Sequence, residues 1–243
     1  MGVFRRIVAD LVDPAAVVTA LIFIVFATLV FSPVLSTVQA NLLLYTSPRS
    51  AFYATIQEIF SDPLTVASFV AYGLVLLYTG LVVIGWYGKK RVGMPKNPFA
   101  RAIKLIIPAA ILGIIISSPF LLTFALYVAL YPTVYSWIPL LILAFLIFYY
   151  LPVISPALPA LVIKEDTLKG AIHEGVFVGM RWWWKILLYS LGAFIVLYIL
   201  AGLLSLLAAY VPPQYIFFVV QALYFVYTYA VVVEVYVRDA FGE

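Results

Sequence analysis

The single histidine, His173, stands beside Glu174 in KEDTLKGAIHEGVFVGMRWWWK, residues 164–185. A histidine next to a carboxylate is a combination that general acid–base catalysis uses. On a helix, however, adjacent side chains diverge by about 100°, so the two are not a ready-made dyad. With no second histidine and no cysteine, carboxylates alone would have to complete a metal site. His173 therefore reads as a structural residue at an interface, with a ligand or proton-handling role as the alternative. Glu234 is the other candidate, because it is the one acidic residue inside a predicted membrane span. At about 100° per residue, Gln221, Tyr224, Tyr227, Thr228, Glu234 and Arg238 fall in one broad sector of that helix. A carboxylate in lipid is costly, so this sector is expected to face the bundle or a wet groove. Arg238, four residues on, is the expected partner of Glu234. An interfacial ion pair is the first reading of these two, and a place in a solute or proton path is the second.

Other chemistry is thin. There is no P-loop, no His-Glu-x-x-His, no Gly-x-Ser-x-Gly and no thiol. The predicted spans hold serines, but no histidine or aspartate deep enough to activate one. No cofactor is expected, and the residues point away from an enzyme without deciding the matter.

The elements that must carry these residues are membrane helices. The chain of 243 residues is 66% hydrophobic and 10% charged, too little polar material for the shell of a water-soluble domain. Apolar runs of about twenty residues recur, which is the length a helix needs to cross the hydrocarbon core. They are too long and too uniform for the alternating strands of a β-barrel. The fold class is therefore all-α and polytopic, a single integral membrane domain over residues 1–243. Six spans are predicted at about 15–38, 65–87, 104–130, 138–162, 185–209 and 215–237. Asp13-Pro14 and Asp62-Pro63 read as N-cap aspartates with proline at the first helical position.

Charge sets the orientation. With an even number of spans and both termini in the cytoplasm, only Arg49 among the 14 lysines and arginines falls outside. The densest basic segment, GKKRVGMPKNPFARAIK at residues 88–104, then reads as a topology anchor beside lipid headgroups, with specific lipid or partner recognition as the alternative. The net charge of +4 gives no reason to expect nucleic acid as a partner. Membrane lipids are the expected partners, together with a protein partner or self-association, and the cell membrane is the expected location.

Residues 166–183 have one side made of Leu168, Ile172, Gly175, Gly179 and Trp183, and another with Lys169, His173, Glu174 and Arg181. This predicts an amphipathic helix lying along the cytoplasmic surface before the chain turns into span five. Asp166 or Thr167 can cap it, and Glu165 can pair with Lys169. Trp182, Trp183 and Trp184 suit the headgroup layer. Ala171, Gly175 and Gly179, spaced by four, form a small-residue track that permits close helix packing. Between spans one and two, residues 49–63 predict a short surface helix with Phe52, Ile56, Ile59 and Phe60 on its apolar side.

Prolines concentrate in the middle of the chain, at Pro108, Pro119, Pro139, Pro152, Pro156 and Pro159. Pro108, Pro119, Pro152, Pro156 and Pro159 are kink candidates, and the last three are expected to interrupt span four. Tyr150 and Ser155 are nearby polar groups that could satisfy freed carbonyls. Broken helices also build transporter sites, although no clear inverted repeat accompanies these.

Around LPALVIKEDTLKGAIHEGVFVGMRWWWKILLY, residues 158–189, the chain resembles a broad superfamily of six-span proteins. It includes the membrane domain fused to some glycerophosphoryl diester phosphodiesterases. Pro159, Glu165, Ala171, Ile172 and Trp182–Trp184 carry the resemblance. Those enzymes keep their catalytic chemistry in a separate soluble domain, which these residues do not provide. The resemblance thus implies a membrane module of unassigned activity and not a phosphodiesterase. The resulting expectation is a non-catalytic organising or envelope-maintenance module. A small-solute or lipid transporter is the alternative, and a membrane enzyme comes third.

Overall fold

The computed structural model describes residues 13–44, 48–94, 97–131, 133–164, 167–205 and 213–242. Helices dominate, and among the described residues no strand occurs. In chain order they are α1 (Pro14–Leu44), α2 (Pro48–Ser61), α3 (Pro63–Val92) and α4 (Pro98–Leu130). A 3₁₀ turn (Val134–Ser136), α5 (Trp137–Phe145), a π-helical turn (Leu146–Tyr150), α6 (Leu151–Ile154) and α7 (Ala157–Lys164) follow. The last two are α8 (Leu168–Ser205) and α9 (Pro213–Phe241). Among the described residues, six helical segments are long and apolar enough to cross a membrane: α1, α3, α4, the composite α5–α7, α8 and α9.

The starts of these helices follow from local chemistry. Asp13 Oδ1 accepts from the Ala15 N–H at 3.1 Å. Asp62 caps α3 by accepting from the N–H groups of Leu64 and Thr65, both at 3.1 Å. The Thr65 hydroxyl also donates to Asp62. That hydroxyl bond first, and then the Leu64 N–H, hold the Asp62 carboxyl below its ordinary value of 3.8. Asn97 supplies a third cap of the same kind. It accepts from the Phe99 N–H at 3.0 Å with Pro98 at the first helical position, so the helix that carries span three begins at residue 98. Gly93 ends α3 in the left-handed region at φ 66°, where its N–H reaches the Lys89 carbonyl at 3.1 Å.

The core is built around α9. Val226, Tyr227 and every residue from Ala230 to Val237 are buried, as expected of a helix that is apolar all round. It packs against α8, α1 and α3, while α3 also packs against α4 and α7. By contrast Ile103, Ile107, Ile114, Leu121 and Leu122 of α4 are exposed, which is the surface a lipid-facing helix presents.

Two expectations about the second half of the chain change. No turn separates an interfacial helix from span five: α8 runs unbroken from Leu168 to Ser205, 38 residues, or about 57 Å at 1.5 Å per residue. Its inner face is the small-residue track. Ala171, Gly175, Val178 and Gly179 are buried against α6 and α7. Its outer face carries Phe177, Met180, Trp184 and Leu188, all exposed. What reads as an interrupted polar side is an apolar stripe facing outward. Thr167 caps the helix, accepting from the Gly170 N–H at 3.1 Å, while Glu165 and Asp166 lie outside the described residues.

Span four departs from α-helical hydrogen bonding at the π turn, 146–150, and at the turn Ser155–Pro156. Both lie beside the predicted prolines Pro152, Pro156 and Pro159. Two of the freed carbonyls find hydroxyls. Pro156 cannot donate to the Pro152 carbonyl, which instead accepts from Ser155 Oγ at 3.3 Å. Pro119 cannot donate to the Ile115 carbonyl, which accepts from Tyr150 Oη at 3.1 Å and Ser118 Oγ at 3.2 Å. The α4 backbone stays α-helical through both Pro108 and Pro119. The short helix expected between spans one and two is present as α2, tied to α1 by Asn41 Nδ2 donating to Glu58 Oε2 at 2.8 Å. The side chains of Arg49 and Phe52 are outside the described set.

Candidate functional site

The charges gather at one end of the bundle, and most of them hold helices together. Glu234 on α9 is buried, and its Oε2 lies 3.3 Å from Arg91 Nε at the end of α3. The expected partner, Arg238, is exposed. The i,i+4 rule gave the wrong partner because it sees only one helix, whereas burial of Glu234 turns it toward α3. The rest of the predicted sector is divided, and Tyr224 is exposed. Tyr227 is buried, Gln221 is half-buried, and Tyr224 and Thr228 line an intramembrane cavity. Gln221 Oε1 is buried with no hydrogen-bond partner among the described residues.

Glu174 and His173 do separate. His173 is exposed. Glu174 Oε1 accepts from Lys164 Nζ at 2.5 Å and from Tyr236 Oη at 2.8 Å, joining α7, α8 and α9. Asp239, which sequence reasoning passed over, joins α9 to α8 a second time. It accepts from Trp182 Nε1 at 2.6 Å, and Arg181 Nη1 lies 3.2 Å away. The signal for it was the Trp182 indole, a donor needing an acceptor in that layer. The three tryptophans thus do different things. Trp182 bonds to Asp239, Trp183 packs edge-on against Tyr149, and Trp184 is exposed. The Lys185 ammonium sits 3.7 Å from the Trp182 ring centre, a cation–π contact in place of free extension into the headgroups.

The basic segment 88–104 is likewise used inside the fold. Lys90 pairs with Asp13 at 3.3 Å, Arg91 with Glu234, and the buried Arg101 donates to the Ile163 carbonyl at 3.1 Å near the end of α7. Lys89 lies over the Trp86 ring. Among the described residues no three His, Cys, Asp or Glu side chains come together.

A large concavity among the described residues lies at membrane depth. It has a volume of about 590 Å³, between α4, the interrupted span four, α8 and α9. Ile147, Phe148, Leu151 and Pro152 form one wall. Ile186, Leu187, Leu191 and Phe194 form another. Ser155, Ser190, Tyr224, Thr228 and Tyr229 supply the polar groups, and among the described residues no charged side chain lines it. Its volume falls within the range of about 300–1,000 Å³ typical of small-molecule sites. The π turn and the Ser155–Pro156 turn both border it, so the proline-rich segment shapes this space.

No family model matches the sequence, and no curated protein or solved structure matches it either.

Proposed function

We propose that this protein is a non-catalytic multi-pass membrane module that holds an apolar guest, drawn from the surrounding lipid, in the cavity between α4, span four, α8 and α9. The observation that carries the reading is the cavity's lining: largely apolar, uncharged, with a few hydroxyls at membrane depth. Most of the paired acidic and basic side chains lie instead in inter-helix ties at one end, and among the described residues no carboxylate, histidine, lysine or arginine faces the cavity. The resemblance of residues 158–189 to six-span membrane modules supports a protein of this general kind. Transport of the guest is the second reading, favoured by the interrupted helix along one wall.

Filling the cavity tests the proposal. Leu191→Trp adds a large ring to the lining. Lipid retained by the purified protein, counted by native mass spectrometry, is expected to fall from about one tightly held molecule to none while the thermal transition is kept. Unchanged retention in the variant would reject the cavity as the holding site. Guest-dependent flux in proteoliposomes, lost in the same variant, would move the assignment to transport.

The same proposal places the basic end of the bundle and both termini in the cytoplasm of a cell-membrane protein. Reporter fusions after Met94, Thr133, Thr167 and Gly242 are expected to report inside, outside, inside and inside. An outside signal at Met94 or Thr167 would overturn this orientation.

A further inference from the structure

We infer that the guest of the intramembrane cavity is a neutral acylglycerol, an uncharged lipid with a free hydroxyl next to ester carbonyls. This rests on the cavity reading and adds the chemistry of the guest. The absence of charge in the lining comes first. A phosphate or ammonium headgroup drawn to this depth would have no counter-ion there, and an unpaired ion in such surroundings is very costly. The headgroup must therefore be neutral.

The hydroxyls then divide into two sets. Ser155 already donates to the Pro152 carbonyl, and Thr228 donates to the Tyr224 carbonyl at 2.8 Å. Neither has a proton left to give. Ser190, Tyr224 and Tyr229 line the same cavity, and their hydroxyls have no hydrogen-bond partner among the described residues. These are donors in an apolar setting, and each gains from an acceptor on the guest. Ester carbonyls are acceptors of that kind. Tyr229 is also fixed in place: its ring lies against Gly80, where an added Cβ would come within 2.6 Å of the phenol oxygen.

The opposite wall offers the complementary group. Pro152 has no N–H, so a carbonyl four or five residues earlier loses its helical donor. Those positions are Phe148 and Ile147, and both line the cavity. A carbonyl without a donor at this depth is matched by a hydroxyl on the guest. A plain hydrocarbon would satisfy neither wall, and an ester without a hydroxyl would satisfy only one. A neutral glyceride with one free hydroxyl satisfies both.

The test compares three photoactivatable probes on the purified full-length protein in nanodiscs. They are a diacylglycerol, a phosphatidic acid with the same chains, and an alkane of similar length. Diacylglycerol is expected to label α8 or span four at least about tenfold more than phosphatidic acid does. Tyr229→Phe, which keeps the ring and removes the donor, is expected to lower that labelling by up to about tenfold. Ser190→Ala provides an independent second variant. Equal labelling by phosphatidic acid, or diacylglycerol labelling indifferent to both variants, would overturn the acylglycerol assignment. Alkane labelling that Leu191→Trp abolishes, without preference for diacylglycerol, would leave the cavity reading standing and reject this one. Failure of all three probes would reject both.

Discussion

Gly179→Leu is expected to abolish the folded protein. A Cβ at Gly179 would fall 1.9 Å from the Val153 carbonyl oxygen and 2.6 Å from its carbon. At Gly175 it would fall 2.3 Å from both Cα and N of Ala157. These neighbours are backbone, so no side-chain rotation can make room, and α8 would have to separate from α6 and α7. Overpacking of ordinary cores costs about 1–3 kcal/mol, and occasionally more. Here two helices must part along a shared face, against a total stability of about 5–15 kcal/mol for typical domains. Gly175→Leu is expected to behave alike. Gly192, further along the same helix, has nothing within 4 Å of an added Cβ, and Gly192→Ala is expected to keep the wild-type transition. Monodisperse yield and thermal stability in detergent read all three. A Gly179→Leu protein with wild-type yield and stability would show that α8 does not pack on span four as described.

Breaking the Arg91–Glu234 pair is the second large effect. Glu234→Ala leaves the Arg91 guanidinium, only 14% exposed, without the carboxylate it faces at 3.3 Å. Removing one partner of a buried pair costs about 3–5 kcal/mol, because the remaining charge keeps its desolvation penalty. A loss near the lower figure is expected, since this pair sits toward the polar end of the bundle. Replacing both, as Arg91→Met with Glu234→Leu, is expected to recover most of that loss. Arg238→Ala is expected to change stability little, because Arg238 is exposed and Glu234 faces α3. If Arg238→Ala destabilised as much as Glu234→Ala, with Arg91→Met harmless, the pairing within α9 would be the right one after all.

The contrast between these two sites shows what is legible in a membrane sequence. Apolar length alone gives the six segments, because lipid leaves the backbone no other way to cross. Aspartate before proline marks the starts of α1 and α3 for purely local reasons. Asn97-Pro98 carries the same local signal, masked by the basic residues that follow it. The Ala171, Gly175 and Gly179 track announces a close contact, but not with which helix. Ser155 was identifiable as a hydroxyl near a freed carbonyl because a proline names the carbonyl it deprives, whereas Tyr150 serves the Ile115 carbonyl of α4, freed by Pro119.

What stayed hidden is non-local. The partner of Glu234 depends on α3 lying beside α9, which no periodicity encodes. The surface-lying reading of residues 166–183 failed for a related reason. A helical wheel separates two faces, but it cannot distinguish a face covered by another helix from one covered by lipid. With Gly175 and Gly179 packed on span four, Phe177, Met180 and Trp184 are left facing outward, while Glu174 and Arg181 serve the ties to α7 and α9. The cavity is hidden in the same way. Its walls come from four segments spread over residues 116–232, and each segment taken alone looks like ordinary membrane helix.

The most direct test of the cavity as a lipid-holding site is an experimental density map of the full-length protein in nanodiscs, at a resolution that shows side chains. The expected result is continuous non-protein density between Leu151, Ser190 and Thr228, absent from a map of Leu191→Trp. A map in which α8 closes on the π turn and leaves no space there, or in which the space is present and featureless in both proteins, would contradict it.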